Sequence, residues 1–275
     1  MASIEPIGVA ESDAVWPLSI EAGWNQNVAD WRFMLGAGRG FGLRGDDGRW
    51  EASSLVLPLG DELAWISMVL VTQARRRGGV GTSLLKRCIA EVQANGAVAG
   101  LDATEQGRPI YLPLGFRDLY KISRWHFDGV KEMPSIAAER PMTAADLPAV
   151  LAYDRKLSRM ARPELLTHLG ARQPAMAFVA DSGGFVLGRE GRTAYSIGPV
   201  IADSEATGLA LIAKAASSVP GPFIIDVPEA HAEVRKWLEK QGAASPRGYV
   251  RMTLGSVPGL DDPSRVFALA GPELG

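Results

Sequence analysis

The sequence predicts an α/β protein built from two tandem domains, each a mixed, mostly antiparallel twisted sheet flanked by helices. Three observations point there. Apolar residues recur at helical spacing up to about residue 36 and then switch to strand-like runs separated by turn residues. An amphipathic helix and two further strands follow those runs. The same order of elements then recurs after residue 140, which implies duplication. A chain of 275 residues, 47% hydrophobic and 22% charged, can bury a substantial core, and its length favours two domains.

In order, Asp13 to Gly23 and Asn27 to Gly36 read as helical, joined by Gly23-Trp24-Asn25-Gln26. Gly40 to Arg44 and Arg49 to Leu57 flank Gly45-Asp46-Asp47-Gly48, a hairpin signal, and Asp61 to Val71 completes a three-strand meander. Leu84, Leu85, Cys88, Ile89 and Val92 then mark one buried helical face, which makes the lone cysteine a packing residue. Ala97 to Thr104 is a strand, Gln106 to Leu114 a short helix or turn, and Phe116 to Phe127 a strand. Pro134 and the loss of periodicity mark the linker, giving domains at 1–128 and 140–275 around a linker at 129–139. In the second copy, Thr143 to Leu157 and Pro163 to Leu169 are helical, and Met176 to Ala180, Gly184 to Gly188 and Thr193 to Ile201 are strands. Helix Ser204 to Ser217, strand Phe223 to Val227, helix Glu229 to Lys240 and strand Tyr249 to Leu254 follow, and the tail from Arg265 to Gly275 can pack back as an extra strand.

Composition excludes several classes of function. One cysteine forbids an internal disulfide, and His126, His168 and His231 are too scattered to suggest a metal site, so no metal is expected. The formal net charge is −2 with signs interleaved, so no nucleic-acid partner is expected. The start lacks the basic and apolar regions of a secretory signal, and the apolar stretch from Leu63 to Val71 is too short to span a bilayer. A cytoplasmic protein without membrane contact is expected, and exposed strand edges leave room for a homodimer.

Chemistry concentrates between Val71 and Thr82, in a strand–loop–helix segment containing Arg76, Arg77, Gly78, Gly79, Val80 and Gly81. Glycines let the backbone approach a ligand, and the free amides and dipole at the start of the following helix favour an anion. Arg76 and Arg77 add charge-assisted contacts, so the segment reads as a pyrophosphate cradle. The glycine spacing fits neither a Walker loop nor a dinucleotide fingerprint.

Arg76-Arg77-Gly78-Gly79-Val80-Gly81 resembles the Q/R-x-x-G-x-G/A signature of the GNAT superfamily of acyl-CoA-dependent N-acyltransferases, and Tyr111-Leu-Pro-Leu-Gly115-Phe116 is similar to its Tyr-x-x-x-Gly-Phe element. The two motifs stand in the family's order across a helix and a strand, and the whole resembles bacterial tandem-GNAT proteins. The resemblance implies an N-acetyltransferase that moves an acetyl group directly from acetyl-CoA, the cosubstrate, to a primary amine of a small molecule or protein. It implies that the strand ending at Val71 splays at a bulge, so that amides of Met68, Val69, Leu70 and Val71 bind the pantetheine arm. It places Thr82 and Thr104 with the cofactor contacts and Tyr111 as proton donor to the CoA thiolate. It also sets Trp24, Asn25 and Gln26 beside the acceptor pocket.

No general base emerges: Asp30, Glu62, Asp102 and Glu105 are candidates that read equally as surface or capping residues. A non-catalytic acyl-CoA sensor, another acyl donor and a hydroxyl acceptor remain open alternatives. The second copy aligns Glu205 with Arg76, Gly208 with Gly79, Leu238 with Tyr111 and Ala243 with Phe116, while Asp226 matches Asp102. It is expected to keep the scaffold and to have lost the chemistry.

Overall fold

The computed structural model describes residues 3–134, 139–258 and 260–275, so residues 135–138 of the expected linker lie outside the described residues. The first half runs β1 (Glu5–Ile7), α1 (Ser12–Val15), α2 (Pro17–Glu21), α3 (Val28–Ala37), β2 (Arg39–Arg44), β3 (Trp50–Pro58), β4 (Leu63–Val71), α4 (Val80–Ala94), β5 (Val98–Thr104), α5 (Arg108–Tyr111) and β6 (Arg117–Phe127). The second runs β7 (Glu139–Pro141), α6 (Leu147–Leu157), α7 (Pro163–Arg172), β8 (Phe178–Ala180), β9 (Gly184–Glu190), β10 (Tyr195–Ala202), α8 (Glu205–Ala216), β11 (Phe223–Pro228), α9 (Ala232–Lys240), β12 (Ala244–Leu254) and β13 (Val266–Ala268). The short strands β1 and β7 carry no sequence signal strong enough to read, and β7 begins at Glu139, inside the expected linker.

The expectation of a separate sheet for each copy needs correction. Among the described residues the strands form one sheet in the order β1-β2-β3-β4-β5-β12-β6-β11-β10-β9-β8-β7, with β13 paired to β10. The two halves exchange their last long strands. β12 lies antiparallel to β5, with Tyr249 opposite Thr104 and Leu254 opposite Ala99. β6 lies antiparallel to β11, with Phe127 opposite Phe223 and Pro228 opposite Ile122. β6 and β12 then pair with each other at the centre.

Two buried ion pairs mirror this exchange. Arg251 of β12 stands opposite Asp102 of β5, with Nε and Nη2 donating to the carboxylate at 2.9 Å. Arg124 of β6 stands opposite Asp226 of β11 and donates twice at 2.7 Å. Arg251 also pairs with Asp261 at 2.8 Å, and its guanidinium lies 4.6 Å from the Trp65 ring centre. Asp102 is thus neither a surface nor a capping residue, because its side chain is fully buried against Arg251.

Three apolar layers cover the sheet. α4 closes one face of the first half through Leu84, Leu85, Cys88 and Val92. α8 and α9 close the corresponding face of the second half through Leu211, Ile212, Val234 and Leu238. On the opposite side, residues from both halves form a single core that includes Trp31, Met34, Trp65, Leu165, Leu169 and Leu274. Cys88 packs within the α4 layer as the sequence indicates, and burial pushes its thiol up to about 12.

Replacing Arg251 with Ala should cost about 3–5 kcal/mol in urea unfolding, because two buried carboxylates lose their counter-charge. Arg39→Ala, which removes a pair to Glu91 from a largely exposed arginine, should cost less than about 1 kcal/mol in the same assay. Cys88 should resist thiol titration at pH 8 in the native protein and react at once in denaturant.

Candidate active site

The site begins with a break in β4. Strands β4 and β5 run parallel and pair from Leu63 opposite Val98 to Trp65 opposite Gly100. Among the described pairings nothing joins them beyond Trp65. On the other edge, the register with β3 slips between Ser53 opposite Leu70 and Leu55 opposite Ser67, so β4 carries one extra residue there. Met68 sits at the slip with φ 52°, an uncommon backbone for a residue with a side chain, and Ser53 Oγ donates to its carbonyl at 2.9 Å. The extra residue also reverses the strand's facing. Leu63 and Trp65 point into the shared core, as do Met68 and Leu70, whereas Ala64, Ile66, Val69 and Val71 point to α4.

A small cavity, open to solvent, occupies the gap. Ile66, Ser67, Met68 and Val69 line it from β4, Leu101, Asp102 and Thr104 from β5, and Tyr111 from α5. Trp24 and Gln26 enter from the α2–α3 connection. Arg124, Tyr249, Pro272 and Glu273 complete the wall. Tyr249 and the tail residues belong to the second half, so one site is built from both. Burial raises the Tyr111 hydroxyl above the ordinary phenol range, which keeps it protonated, and raises Tyr249 likewise.

Beyond the cavity, the segment from Gln73 to Gly79 is exposed. Arg75 is engaged by Glu51 at 2.6 Å, and Arg76 Nε donates to the Val71 carbonyl at 3.0 Å. Arg76 and Arg77 have no carboxylate partner among the described residues. Gly79 takes φ 77° as the residue before α4, a left-handed conformation that favours glycine. Gly78 and Gly81 have no such need: a methyl group at either would meet its nearest protein atom at an ordinary 3.5 Å. The α4 N-terminus has no side-chain cap, and its first-turn amides lack intrahelical acceptors.

The predicted residues therefore divide. Met68, Val69, Thr104, Tyr111, Trp24 and Gln26 meet at the cavity. Leu70 and Val71 continue the splayed strand toward the loop, where Arg76, Arg77, Gly78, Gly79, Val80, Gly81 and Thr82 lie. Asn25 points away. Its side chain bonds Ala194, Ser196 and Thr193 of the second half, so it ties the two halves together and has no free group for an acceptor. Asp30 caps α3, bonding the Asn27 amide at 2.8 Å, and pairs with Arg172 and Arg189. Glu62 and Glu105 are exposed. Arg124, Tyr249 and Glu273 were missed, because only the exchanged strands and the returning tail bring them here.

The corresponding cleft of the second half is filled. β10 and β11 run parallel from Tyr195 opposite Phe223 to Ile197 opposite Ile225. Beyond Ile197, where the register with β9 also shifts, β13 lies along β10, pairing Ala268 with Val200. The Leu269 amide bonds the Asp226 carbonyl of β11 at 2.9 Å. The tail thus packs back as an extra strand, in the gap that stays open in the first half. The Phe267 ring presses on Gly208, and Glu205 accepts the Glu233 and Val234 amides at the start of α9. Leu238 is wholly buried core.

The family described as "Acetyltransferase (GNAT) domain" matches residues 150–268. An N-acetyltransferase of Bacillus subtilis called YitH is 25% identical over 235 residues, covering 81% of this chain and 80% of its own. A holothin acyltransferase of Pseudoalteromonas is 26% identical over 278 residues, covering 98% and 94%. The chain is an acyltransferase similar to members of the GNAT superfamily. The GNAT fold extends over its full length. An acetyltransferase structure from Pyrococcus horikoshii superposes with a TM-score of 0.79 at 18% identity, covering 99% of this chain and 95% of that one. A tandem GNAT protein from the clavulanic acid biosynthesis pathway superposes with 0.60 at 14% identity, covering 94% and 100%. Among the described residues there is no helix long and apolar enough to cross a membrane and no cluster of three or more metal-ligating side chains.

Stability should separate the two kinds of loop glycine. Gly79→Ala should lose about 1 kcal/mol in urea unfolding, since its left-handed backbone disfavours a side chain. Gly81→Ala, in the first turn of α4 with room for a methyl, should gain up to about 1 kcal/mol.

Proposed function

We propose that this chain is an N-acetyltransferase that binds one acetyl-CoA in the cleft between β4 and β5 and transfers the acetyl group directly to a primary amine. The observation that carries the reading is the parting of β4 from β5 after Trp65 at the Met68 bulge, directly before an exposed, glycine-rich helix start. Backbone amides freed from the ladder suit a pantetheine arm lying as a pseudo-strand along Met68 to Val71. The free amides of Val80, Gly81 and Thr82, with Arg76 and Arg77, suit a pyrophosphate.

In the transfer, the lone pair of the free-base amine attacks the thioester carbonyl carbon, and a β4 amide polarises its oxygen. The C–N bond forms, the C–S bond breaks with its electron pair going to sulfur, and the Tyr111 hydroxyl proton passes to the thiolate. The amide nitrogen sheds one proton in return, so the products are the acetamide and CoA with a free thiol. The second half supplies walls of the cavity and takes no CoA of its own, because β13 occupies the equivalent gap and Glu205 the equivalent of a cradle arginine. A discrete small molecule suits the narrow cavity as acceptor, in keeping with a relative named holothin acyltransferase.

Isothermal titration of acetyl-CoA should give one site per chain. Arg76→Glu, at an exposed side chain with no carboxylate partner among the described residues, should weaken that site at least about tenfold, or 1.4 kcal/mol. Two sites would refute the assignment of the second half, and no binding would refute the acyl-CoA reading itself. Tyr111→Phe should lose roughly 100-fold or more in kcat while keeping its CoA affinity. Since burial raises the Tyr111 pKa and the protonated form is required, the wild-type rate should fall only as pH rises above the ordinary phenol value of 10.0.

A further inference from the structure

The tail after β13 follows a defined path across the molecule. Its carbonyls are held in turn: Arg189 Nη1 donates to Ala270 at 2.5 Å, Trp65 Nε1 to Pro272 at 2.8 Å and Arg162 Nη1 to Gly275 at 2.9 Å. Between the last two anchors, Glu273 is carried into the wall of the cavity with its residue 3% exposed. Its Oε1 accepts from Arg189 Nη2, and Arg189 is itself shared with Asp30, whose other partner is Arg172. Two arginines thus face two carboxylates beside the cavity. Opposite elements bring the other notable group. Gln26 is 4% exposed, lines the same cavity, and its side-chain Oε1 is buried without a hydrogen-bond partner. Only its backbone carbonyl is occupied, by Trp16 Nε1 at 3.0 Å.

An orphaned buried carbonyl and a carboxylate in one cavity are both hydrogen-bond acceptors. The geometry points to Gln26 and Glu273 as the pair that receives the acceptor's nitrogen, which restricts the acceptor to a primary amine; this rests on the transferase reading above. A free primary amine has two N–H donors and one lone pair. With one N–H donated to Gln26 Oε1 and the other to the Glu273 carboxylate, the lone pair is left to attack the thioester carbonyl. As the C–N bond forms, nitrogen becomes positive, and the carboxylate stabilises that charge more in the transition state than in the bound substrate. The nitrogen then gives up one proton, which replaces the one that Tyr111 passes to the sulfur as the C–S bond breaks. A secondary amine or a hydroxyl has one donor only and leaves one of the two buried acceptors unpaired, a penalty for the wrong nucleophile.

The test uses benzylamine, N-methylbenzylamine and benzyl alcohol as size-matched probes, with thiol release from acetyl-CoA as readout and titration of acetyl-CoA run beside it. Wild type should prefer benzylamine over the other two by at least about 100-fold in kcat/KM. Glu273→Gln should lower kcat for benzylamine roughly 100-fold, and Gln26→Leu should lower kcat/KM and narrow the preference over benzyl alcohol, both with unchanged acetyl-CoA affinity. Gln26→Leu breaks no side-chain hydrogen bond and decides the matter if Glu273→Gln fails to fold. Equal use of amine and alcohol by wild type, or full benzylamine turnover in Gln26→Leu, would overturn the pairing while leaving the transferase reading intact. Absence of acetyl-CoA binding in wild type would remove both.

Discussion

The reciprocal pairs Arg251–Asp102 and Arg124–Asp226 are the constraint on which the architecture rests. An arginine buried in a sheet must be neutralised where it lies, since the cost of leaving a charge unpaired there exceeds most single packing gains. Each half keeps its aspartate on the strand after the long helix and its arginine on its last long strand, and each arginine finds its aspartate only in the other half. Exchange of β6 and β12 satisfies both at once. The two halves are consequently joined through the middle of one sheet, and the apolar face opposite α4 becomes a common core containing residues from both.

That exchange determines where the active-site wall comes from. With β12 seated beside β5, Tyr249 faces the gap left by β4, and Arg124 on β6 reaches it as well. The tail leaving β12 is directed first into the second half's cleft, where β13 takes the place beside β10, and then back into the shared core, where Pro272 and Glu273 close the first cleft. Filling one cleft and furnishing the other are two consequences of a single segment. The second copy is therefore not idle: its blocked cleft anchors the tail that carries Glu273 into the cavity wall.

The local elements were legible in the sequence because each carries its own signal. The hairpin turns, the amphipathic face of α4 and the glycine-rich loop gave boundaries within a few residues, and the tail strand was anticipated at β13. The exposed glycine-rich loop before α4 was legible because glycines and arginines clustered between a strand and a helix have local reasons to be there, and the short helix carrying Tyr111 was legible from its two prolines. What stayed hidden depends on contacts between residues far apart. Asp102 read as a surface or capping residue because its partner is 149 residues away. Asn25 read as an acceptor contact because nothing near it in sequence reveals that it binds the Thr193–Ala194 backbone. One trace of the exchange was present: Asp226 matches Asp102 although Glu205 and Leu238 stand where the first half has Arg76 and Tyr111. Its retention makes sense only as a partner for Arg124.

A single inserted residue in β4 links that scaffold to the chemistry. Without the extra residue at Met68, strict alternation would send Met68 and Leu70 toward α4 and Val69 and Val71 into the shared core, exchanging the large buried side chains between layers. The bulge allows the strand to leave β5 and still bury its apolar residues on both faces. Its cost is a left-handed backbone at a residue with a side chain, held by the Ser53 hydroxyl and by the burial of Met68 itself. The opening is thus fixed by packing on either side of the strand. The same core that accepts Met68 and Leu70 also holds the end of the tail at Leu274, so the splay of β4 and the placement of Glu273 are set by one packed layer.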